Sequence, residues 1–257
     1  METFLILVIG ALGLAVGSFI NAAVYRLRIQ EFKSIFTGRS FCPRCKKHLR
    51  ARDLIPLASF LLLRGKCHFC TKKISSHYFF VELATAVAFL LVAMFGECAT
   101  GAILWNLFFA SVLIFLASFD AQFGEIPDEV SLPAIVLALL GSAFAFTLAP
   151  SSAIVGALVG GGFFAALVVI SNGKWMGGGD IRLGLLLGAL VGWRGCAVAL
   201  FIAALTGSIV GITQILRKKR KAKSAMPFAP FLAVGGIMAM LFAEEVWSWY
   251  LGFFLQI

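Results

Sequence analysis

Eight long apolar segments occupy most of this 257-residue chain. They cover roughly residues 3–25, 78–96, 101–119, 129–149, 153–171, 180–193, 196–216 and 228–243. Most are as long as the roughly 17–25 residues that a helix needs to cross a bilayer. They are continuous and do not alternate as strands do, and lipid requires each backbone polar group to be satisfied internally. The sequence therefore predicts an all-α polytopic membrane protein with about eight transmembrane helices.

The composition excludes a soluble domain of this length. Hydrophobic residues make up 61% of the chain and charged residues 13%, whereas soluble proteins are about 45–50% apolar and about 25% charged. Glycines recur at helical spacing in the later segments, which predicts helices that approach each other closely. They include Gly156 and Gly160, then Gly184, Gly188 and Gly192.

The positive charges indicate how the chain crosses the membrane. If residue 1 lies outside the cytoplasm, the inner loops are 26–77, 120–128, 172–182 and 217–226, with 13, 0, 2 and 6 lysines and arginines, or 21 of the 22 present. Cytoplasmic loops are enriched in these residues. We therefore expect the N-terminus outside. The net charge of +10 then reflects topology, with membrane lipid as a partner and no nucleic acid.

The segment 26–77, between the first two predicted helices, contains two Cys-x-x-Cys pairs. They are Cys42 with Cys45 and Cys67 with Cys70. Four thiolates at this spacing suit a tetrahedral structural zinc ion. An insert this small has little hydrophobic core of its own, so a metal cross-link would stabilise its fold. The alternatives are unliganded or redox-active thiols, or a histidine in place of one cysteine. The histidines are His48, His68 and His77.

Two acidic residues, Asp120 and Asp180, lie at the ends of predicted helices. Counting the spans puts both at the cytoplasmic boundary. A carboxylate at the centre of a membrane helix costs about 2.5–3.5 kcal/mol on insertion scales, so an acid near that region needs a reason. Two close carboxyl groups share a proton and can activate water, as in aspartyl proteolysis. The alternative is that both are ordinary helix-end residues. Asp128, at the end of the predicted loop 120–128, is predicted to be the N-cap of the next helix.

At this point the motifs resemble those of bacterial prepilin peptidases, which are GxGD intramembrane aspartyl proteases. Residues 177–180 fit the GxGD signature, and residues 120–128 are similar to the D-x6-PD loop of that family. Other stretches agree in the same order along the chain. They are residues 17–21, Tyr25-Arg26, residues 55–57, residues 63–67, Tyr78, residues 81–83 and residues 227–231.

The resemblance implies an enzyme of the bacterial inner membrane with its active site facing the cytoplasm. Such enzymes cut the basic leader from type IV prepilins or type II secretion pseudopilins just after a glycine, and the catalytic pair carries over to Asp120 and Asp180. Many also N-methylate the new terminus with S-adenosylmethionine. The four-cysteine module and Gly65-Lys66 are associated with this second activity, as is Glu82.

The implied organisation is a first transmembrane helix over 1–25, the zinc module over 26–77 and a peptidase bundle over 78–257. Alternatives remain for individual features: Glu82 forms an ion pair with a basic residue of the insert, and Gly65-Lys66 forms a turn. Two alternatives remain for the whole chain. One is a peptidase with a purely structural zinc module. The other is a proton-coupled transporter, which predicts inverted repeats; the sequence shows none.

Overall fold

The computed structural model describes residues 2–29, 40–96, 99–143, 148–217 and 226–255. Its α-helices are α1 (Glu2–Ile29), α2 (Ala58–Leu62), α3 (Ser76–Phe95), α4 (Thr100–Phe123), α5 (Asp128–Ala143), α6 (Pro150–Ser171), α7 (Gly178–Leu216) and α8 (Ala229–Leu255). A short 3-10 helix covers Ala51–Leu54. The described residues contain two isolated β-bridges and no longer strand.

The predicted all-α membrane fold is confirmed. Within the described residues, six helices are long and apolar enough to cross a bilayer, namely α1, α3, α4, α6, α7 and α8. The predicted segment 129–149 corresponds to α5, of which 16 residues are described. The segments 180–193 and 196–216 both lie within α7. Contacts divide the chain into two compact units, Met1–Gly96 and Glu97–Ile257.

In the first unit, α1 and α3 pack through glycines on α1. A Cβ atom at Gly13 would lie 2.8 Å from Ala86 Cα, and one at Gly17 would lie 2.7 Å from Glu82 Cα. Any larger residue would therefore push the two backbones apart. One turn further along α1, Asn21 donates from Nδ2 to the carbonyl oxygen of Tyr78 at 3.0 Å. This packing fixes the start of α3 against the end of α1.

In the second unit, the predicted glycine contacts join α6 to the first part of α7. A Cβ at Gly188 would lie 1.9 Å from the carbonyl oxygen of Gly156, and one at Gly184 would lie 2.5 Å from that of Gly160. Both obstructing atoms belong to the backbone, so no side-chain rotation would relieve the clash. The glycine prediction is thus confirmed for this helix pair.

The helix α7 folds back on itself at Gly192. A straight helix of 39 residues would be about 58 Å long, nearly twice the roughly 30 Å hydrocarbon core. Gly192 has φ 67° and ψ −179°, which favours glycine. A Cβ at Gly160 would touch both Gly184 and Cys196, although 12 residues of straight helix would span about 18 Å. The two arms of α7 therefore correspond to two of the predicted membrane crossings.

The helix α8 packs along both arms of α7 and against α4. A Cβ at Gly235 would meet the carbonyl oxygen of Ala199 at 2.2 Å, and one at Gly236 would meet Leu187 Cδ2 at 2.4 Å and Leu113 Cδ1 at 3.1 Å. The start of α8 consequently lies beside the end of α4. This arrangement gathers the ends of α4, α7 and α8 that carry the candidate site.

Replacing Gly188 by alanine should destabilise the bundle by about 1–3 kcal/mol or more, because the added methyl group would strike the Gly156 backbone. Gly162→Ala is the matched control, since a Cβ there has no neighbour within 4 Å. That change should leave stability unchanged or raise it by up to about 1 kcal/mol. Thermal unfolding in detergent measures both. Equal stability of the two variants would contradict the packing described here.

Candidate active site and metal centre

Asp120 lies near the end of α4, and its orientation is fixed by the start of α8. The helix α4 ends at Gly124, whose φ of 70° places it in the left-handed region and whose N–H donates to the carbonyl oxygen of Asp120 at 2.8 Å. The Asp120 carboxylate accepts, on Oδ2, the backbone N–H of Ala229 at 3.1 Å. One side of this carboxylate is therefore held by α8.

Asp180 lies in the first turn of α7, three residues after the N-cap Gly177. Its carboxylate receives a backbone hydrogen bond from Gly177 and is repelled by the charge of Asp120. The two acids predicted from the sequence are thus brought within electrostatic reach of each other, from helices about 60 residues apart in the chain. Two such groups resist simultaneous ionisation and can share one proton.

The loop between α4 and α5 packs on the turn that carries Asp180. A Cβ at Gly179 would lie 2.7 Å from Ile126 Cγ1 and 3.0 Å from Ile126 Cβ. Positions 177 and 178 differ, because a Cβ there would have no neighbour within 4 Å. Of the three glycines before Asp180, only Gly179 is thus required for close packing.

Asp128 is not the N-cap that the sequence predicts. The Pro127 carbonyl oxygen accepts the first helical hydrogen bond, from Ser131 N at 3.0 Å, and Asp128 lies in the first turn of α5. Its carboxylate forms an ion pair with Arg182 of α7. The N-cap prediction is wrong because the helix begins one residue earlier and a cation attracts the side chain. Arg182 was missed as a site residue, although its position two residues after Asp180 was a usable signal.

The four predicted metal ligands converge in the first unit. The thiol sulfurs of Cys42, Cys45, Cys67 and Cys70 all lie within 4.8 Å of one another. Four sulfurs bound at about 2.3 Å to one zinc ion would be about 3.8 Å apart, so a small contraction would complete the site. The histidines do not belong to this cluster. His68, for example, is 3.4 Å from an Arg52 guanidinium nitrogen.

The two cysteine knuckles have the same backbone pattern. In the first, Cys42 N–H donates to Lys47 at 3.0 Å and Cys42 accepts from Lys46 at 2.8 Å. In the second, Cys67 N–H donates to Lys72 and Cys67 accepts from Thr71, both at 2.9 Å. Each knuckle is closed by one antiparallel bridge, Phe41 with His48 and Lys66 with Lys73. Two equivalent turns therefore present two thiols each to a common centre.

Hydrogen bonding within the cluster shifts the pKa values of Cys42 and Cys70 in opposite directions. Burial raises the pKa of Cys42, but backbone hydrogen bonds from Cys45 and Arg44, with those from the neighbouring thiols, lower it to about 7. A backbone hydrogen bond from Lys72 lowers the pKa of Cys70, but desolvation and the other three thiols raise it to about 11. The first thiolate forms near neutral pH, and its negative charge opposes the ionisation of a second thiol. A bound cation would remove that opposition, so the donor set fits a metal ion.

Gly65 ends a turn before the second knuckle, in line with the turn alternative, and Lys66 follows it as a bridge residue. Gly65 has φ +66°, its N–H donates to the carbonyl oxygen of Phe60 at 2.8 Å, and its own carbonyl accepts from Ile74 at 2.8 Å. A Cβ at Gly65 would lie 3.1 Å from the Phe60 ring. The Lys66 side chain is exposed. This turn therefore presents an ammonium group beside the metal-ligand cluster.

Glu82 connects α3 to the insert through neutral partners. It is 9% exposed, and its Oε2 accepts the Leu57 backbone N–H at 2.8 Å. It also accepts a hydrogen bond from the Ser18 side chain. In the described part of the insert, the alternative of an ion pair between Glu82 and a basic residue is not seen. Sequence analysis missed Leu57 as a partner because a backbone donor leaves no signature in residue type, and it missed Ser18 because the packing of α1 on α3 decides that contact.

Comparisons with known proteins agree on one family. Residues 11–95 match the bacterial peptidase A24 N-terminal domain, and residues 107–212 match the type IV leader peptidase family. A prepilin leader peptidase/N-methyltransferase of Legionella pneumophila is 32% identical, covering 98% of this chain and 96% of the relative. The chain belongs to the type IV leader peptidase family. No solved structure matches it.

Other relatives of the same name extend the match within the type IV leader peptidase family. The protein of Aeromonas salmonicida (strain A449) is 32% identical over 93% of this chain and 91% of its own length. That of Burkholderia pseudomallei (strain K96243) is 31% identical over 90% of this chain and 83% of its own. The leader peptidase match contains both aspartates, and the N-terminal match contains all four cysteines and Glu82.

Proposed function

We propose that this type IV leader peptidase cleaves the leader peptide of prepilins or pseudopilins with Asp120 and Asp180, and N-methylates the new terminus. The observation that carries the peptidase part is the electrostatic interaction of these two carboxyl groups. The names of its relatives, prepilin leader peptidase/N-methyltransferase, support both parts. Membership of this family does not favour the transporter alternative.

The proposed proteolysis needs one ionised and one protonated carboxyl group. The ionised aspartate takes a proton from water while the oxygen attacks the scissile carbonyl carbon, and the protonated aspartate gives its proton to the carbonyl oxygen. The carbon–nitrogen bond of the tetrahedral intermediate then breaks as one of its two hydroxyl groups returns a proton to the ionised aspartate, and the departing amine takes the proton of the other aspartate. No covalent intermediate with the enzyme forms.

The proposed orientation puts the N-terminus outside the cytoplasm and the active site at the cytoplasmic face of the bacterial inner membrane. Arg26 and Arg28 in the last turn of α1 support it. The apolar helix of a prepilin would lie among the membrane helices while its scissile bond reaches the aspartates. We propose that the peptidase bundle lies within 78–257 and that the module 26–77 serves methylation.

We propose that the metal of the four-cysteine cluster is a structural zinc ion. The four thiols offer a complete tetrahedral set with no open position, so the ion would hold the two knuckles together and take no part in chemistry. S-adenosylmethionine, when bound, supplies the methyl group. The exposed Lys66 ammonium would hold the cofactor's carboxylate beside Gly65, and Glu82 would act by fixing Leu57 and the start of α2.

Asp120→Asn and Asp180→Asn should each lower the rate of leader cleavage by about 10²–10⁴-fold, because an amide cannot exchange the proton. The side-chain amide introduced at position 120 would still offer an oxygen to the Ala229 N–H, so folding should persist. Cleavage of a purified prepilin measures the effect, with the exposed, neighbouring Glu129→Gln as control. Cleavage at the wild-type rate by either asparagine variant would remove that residue from the mechanism.

Replacing Cys42 and Cys45 together by serine should release the bound zinc, because two of four ligands are lost. Metal analysis of the purified protein measures this directly. Cys196→Ser is the matched control, since this buried thiol lies outside the cluster and its loss should leave the zinc content unchanged. A wild-type protein without stoichiometric zinc would reject the proposed metal.

Lys66→Ala should lower methylation of the pilin N-terminus without slowing cleavage, because the cofactor loses a cationic contact while both aspartates are retained. Mass spectrometry of the product separates the methylated from the unmethylated terminus. Lys73→Ala, the exposed bridge partner of Lys66, is the control. Equal methylation by the two variants would show that Lys66 has no special role in this step.

A further inference from the structure

Two contacts join the segment after Asp120 to the first turn of α7, one on each side of Asp180. One residue before it, Gly179 packs against Ile126 of the α4–α5 loop. Two residues after it, Arg182 forms an ion pair with Asp128 at the start of α5. Because the loop is attached directly to the end of α4, both contacts bear on how Asp120 and Asp180 are spaced.

We propose that these two contacts form a positioning clamp that holds the Asp180 turn at a fixed distance from the Asp120 segment. The clamp consists of Ile126 on Gly179 and Asp128 on Arg182. It rests on the proposed function, in which the two aspartates act on one water molecule. Neither Arg182 nor Asp128 is a catalytic residue in this proposal, because their charges are directed to each other.

The geometry explains why a clamp is needed at this point. Asp120 is already held by the Ala229 N–H at the start of α8, whereas Asp180 is the third residue of α7 and follows the N-cap Gly177 and two further glycines. Glycine leaves the backbone more conformational freedom than any other residue. A misplacement of 1 Å can cost about 10²-fold in rate. Contacts on both sides of Asp180 would restrict that freedom.

The side chains of Asp128 and Arg182 are 50% and 35% exposed. Exposed ion pairs of this kind contribute little to overall stability. Their loss should therefore change catalysis while the protein stays folded, and this separates a positioning role from a structural one. A second ion pair, Arg194 with Glu244 at 3.8 Å, lies on α7 and α8 away from the aspartates and supplies a matched control.

The first experiment is a double-mutant cycle on cleavage of a purified prepilin by the full-length protein. Arg182→Met, Asp128→Asn and the double variant should each lower kcat by about tenfold, with KM and thermal unfolding unchanged. The losses should be equal and non-additive, because each change breaks the same contact. Exchanging the charges, with Asp128→Arg and Arg182→Asp, should recover part of the rate. Arg194→Met with Glu244→Gln should have no effect.

Adding one methyl group tests the other half of the clamp. Gly179→Ala should lower kcat, because its Cβ would press on Ile126, whereas Gly178→Ala adds the same methyl group to open space. Unchanged kcat in Gly179→Ala, or additive losses in the ion-pair cycle, would overturn the clamp. A change in KM alone, or a loss of thermal stability matching the loss of rate, would also overturn it.

A disulfide cross-link between positions 126 and 179 tests whether these two positions are close, without relying on catalysis. Ile126→Cys with Gly179→Cys, combined with Cys196→Ser, should form a disulfide under mild oxidation. The two Cβ positions are 3.0 Å apart, so a small outward shift would bring them to the roughly 3.5–4.5 Å of a disulfide. Adding Arg182→Met should slow its formation by several-fold. Failure to cross-link would overturn the clamp. If the cysteine pair cross-links while the wild-type protein leaves a prepilin uncut, the proposed function alone would be rejected.

Discussion

Lipid offers no hydrogen-bond partners, and this constraint determines where the polar groups of the chain lie. The described helices are mostly apolar in the middle, and Gly156, Gly160, Gly184 and Gly188 let two backbones touch there. The charged groups gather at helix ends, including Asp120, Asp180, Asp128 and Arg182. An acid at such a boundary can meet water and a peptide bond while its helix stays in the membrane. The candidate site depends on this separation.

The fold-back at Gly192 brings the required helix ends to one place. Had α7 continued straight, the second arm would have left the bundle and α8 could not contact both Leu187 and Ala199. Because the chain reverses, α8 returns with its first residue beside α4, and the Ala229 N–H reaches Asp120. A glycine conformation more than ten residues from Asp180 thus contributes to the arrangement of the aspartate pair.

Much of this could be predicted from the sequence, because hydropathy, charge distribution and cysteine spacing are one-dimensional signals. The helices and the metal-ligand cluster follow from them, and the motif resemblance adds the pairing of two distant acids. The sequence could not predict contacts made through the backbone. The N–H groups of Ala229 and Leu57, which hold Asp120 and Glu82, leave no trace in residue type. The ion pair of Asp128 with Arg182 depends on α7 packing beside the start of α5, which the sequence does not show. The N-cap prediction for Asp128 was therefore wrong.

The central claim is that two carboxyl groups from α4 and α7 act on one water molecule. The most direct test is the distance between them in an experimental structure of the full chain in a lipid bilayer, with a peptide bound that carries a hydroxyl group in place of the scissile carbonyl. The account predicts that Asp120 and Asp180 both lie within hydrogen-bond distance of that hydroxyl. Carboxyl groups separated by packed helices, or facing opposite sides of the membrane, would contradict it.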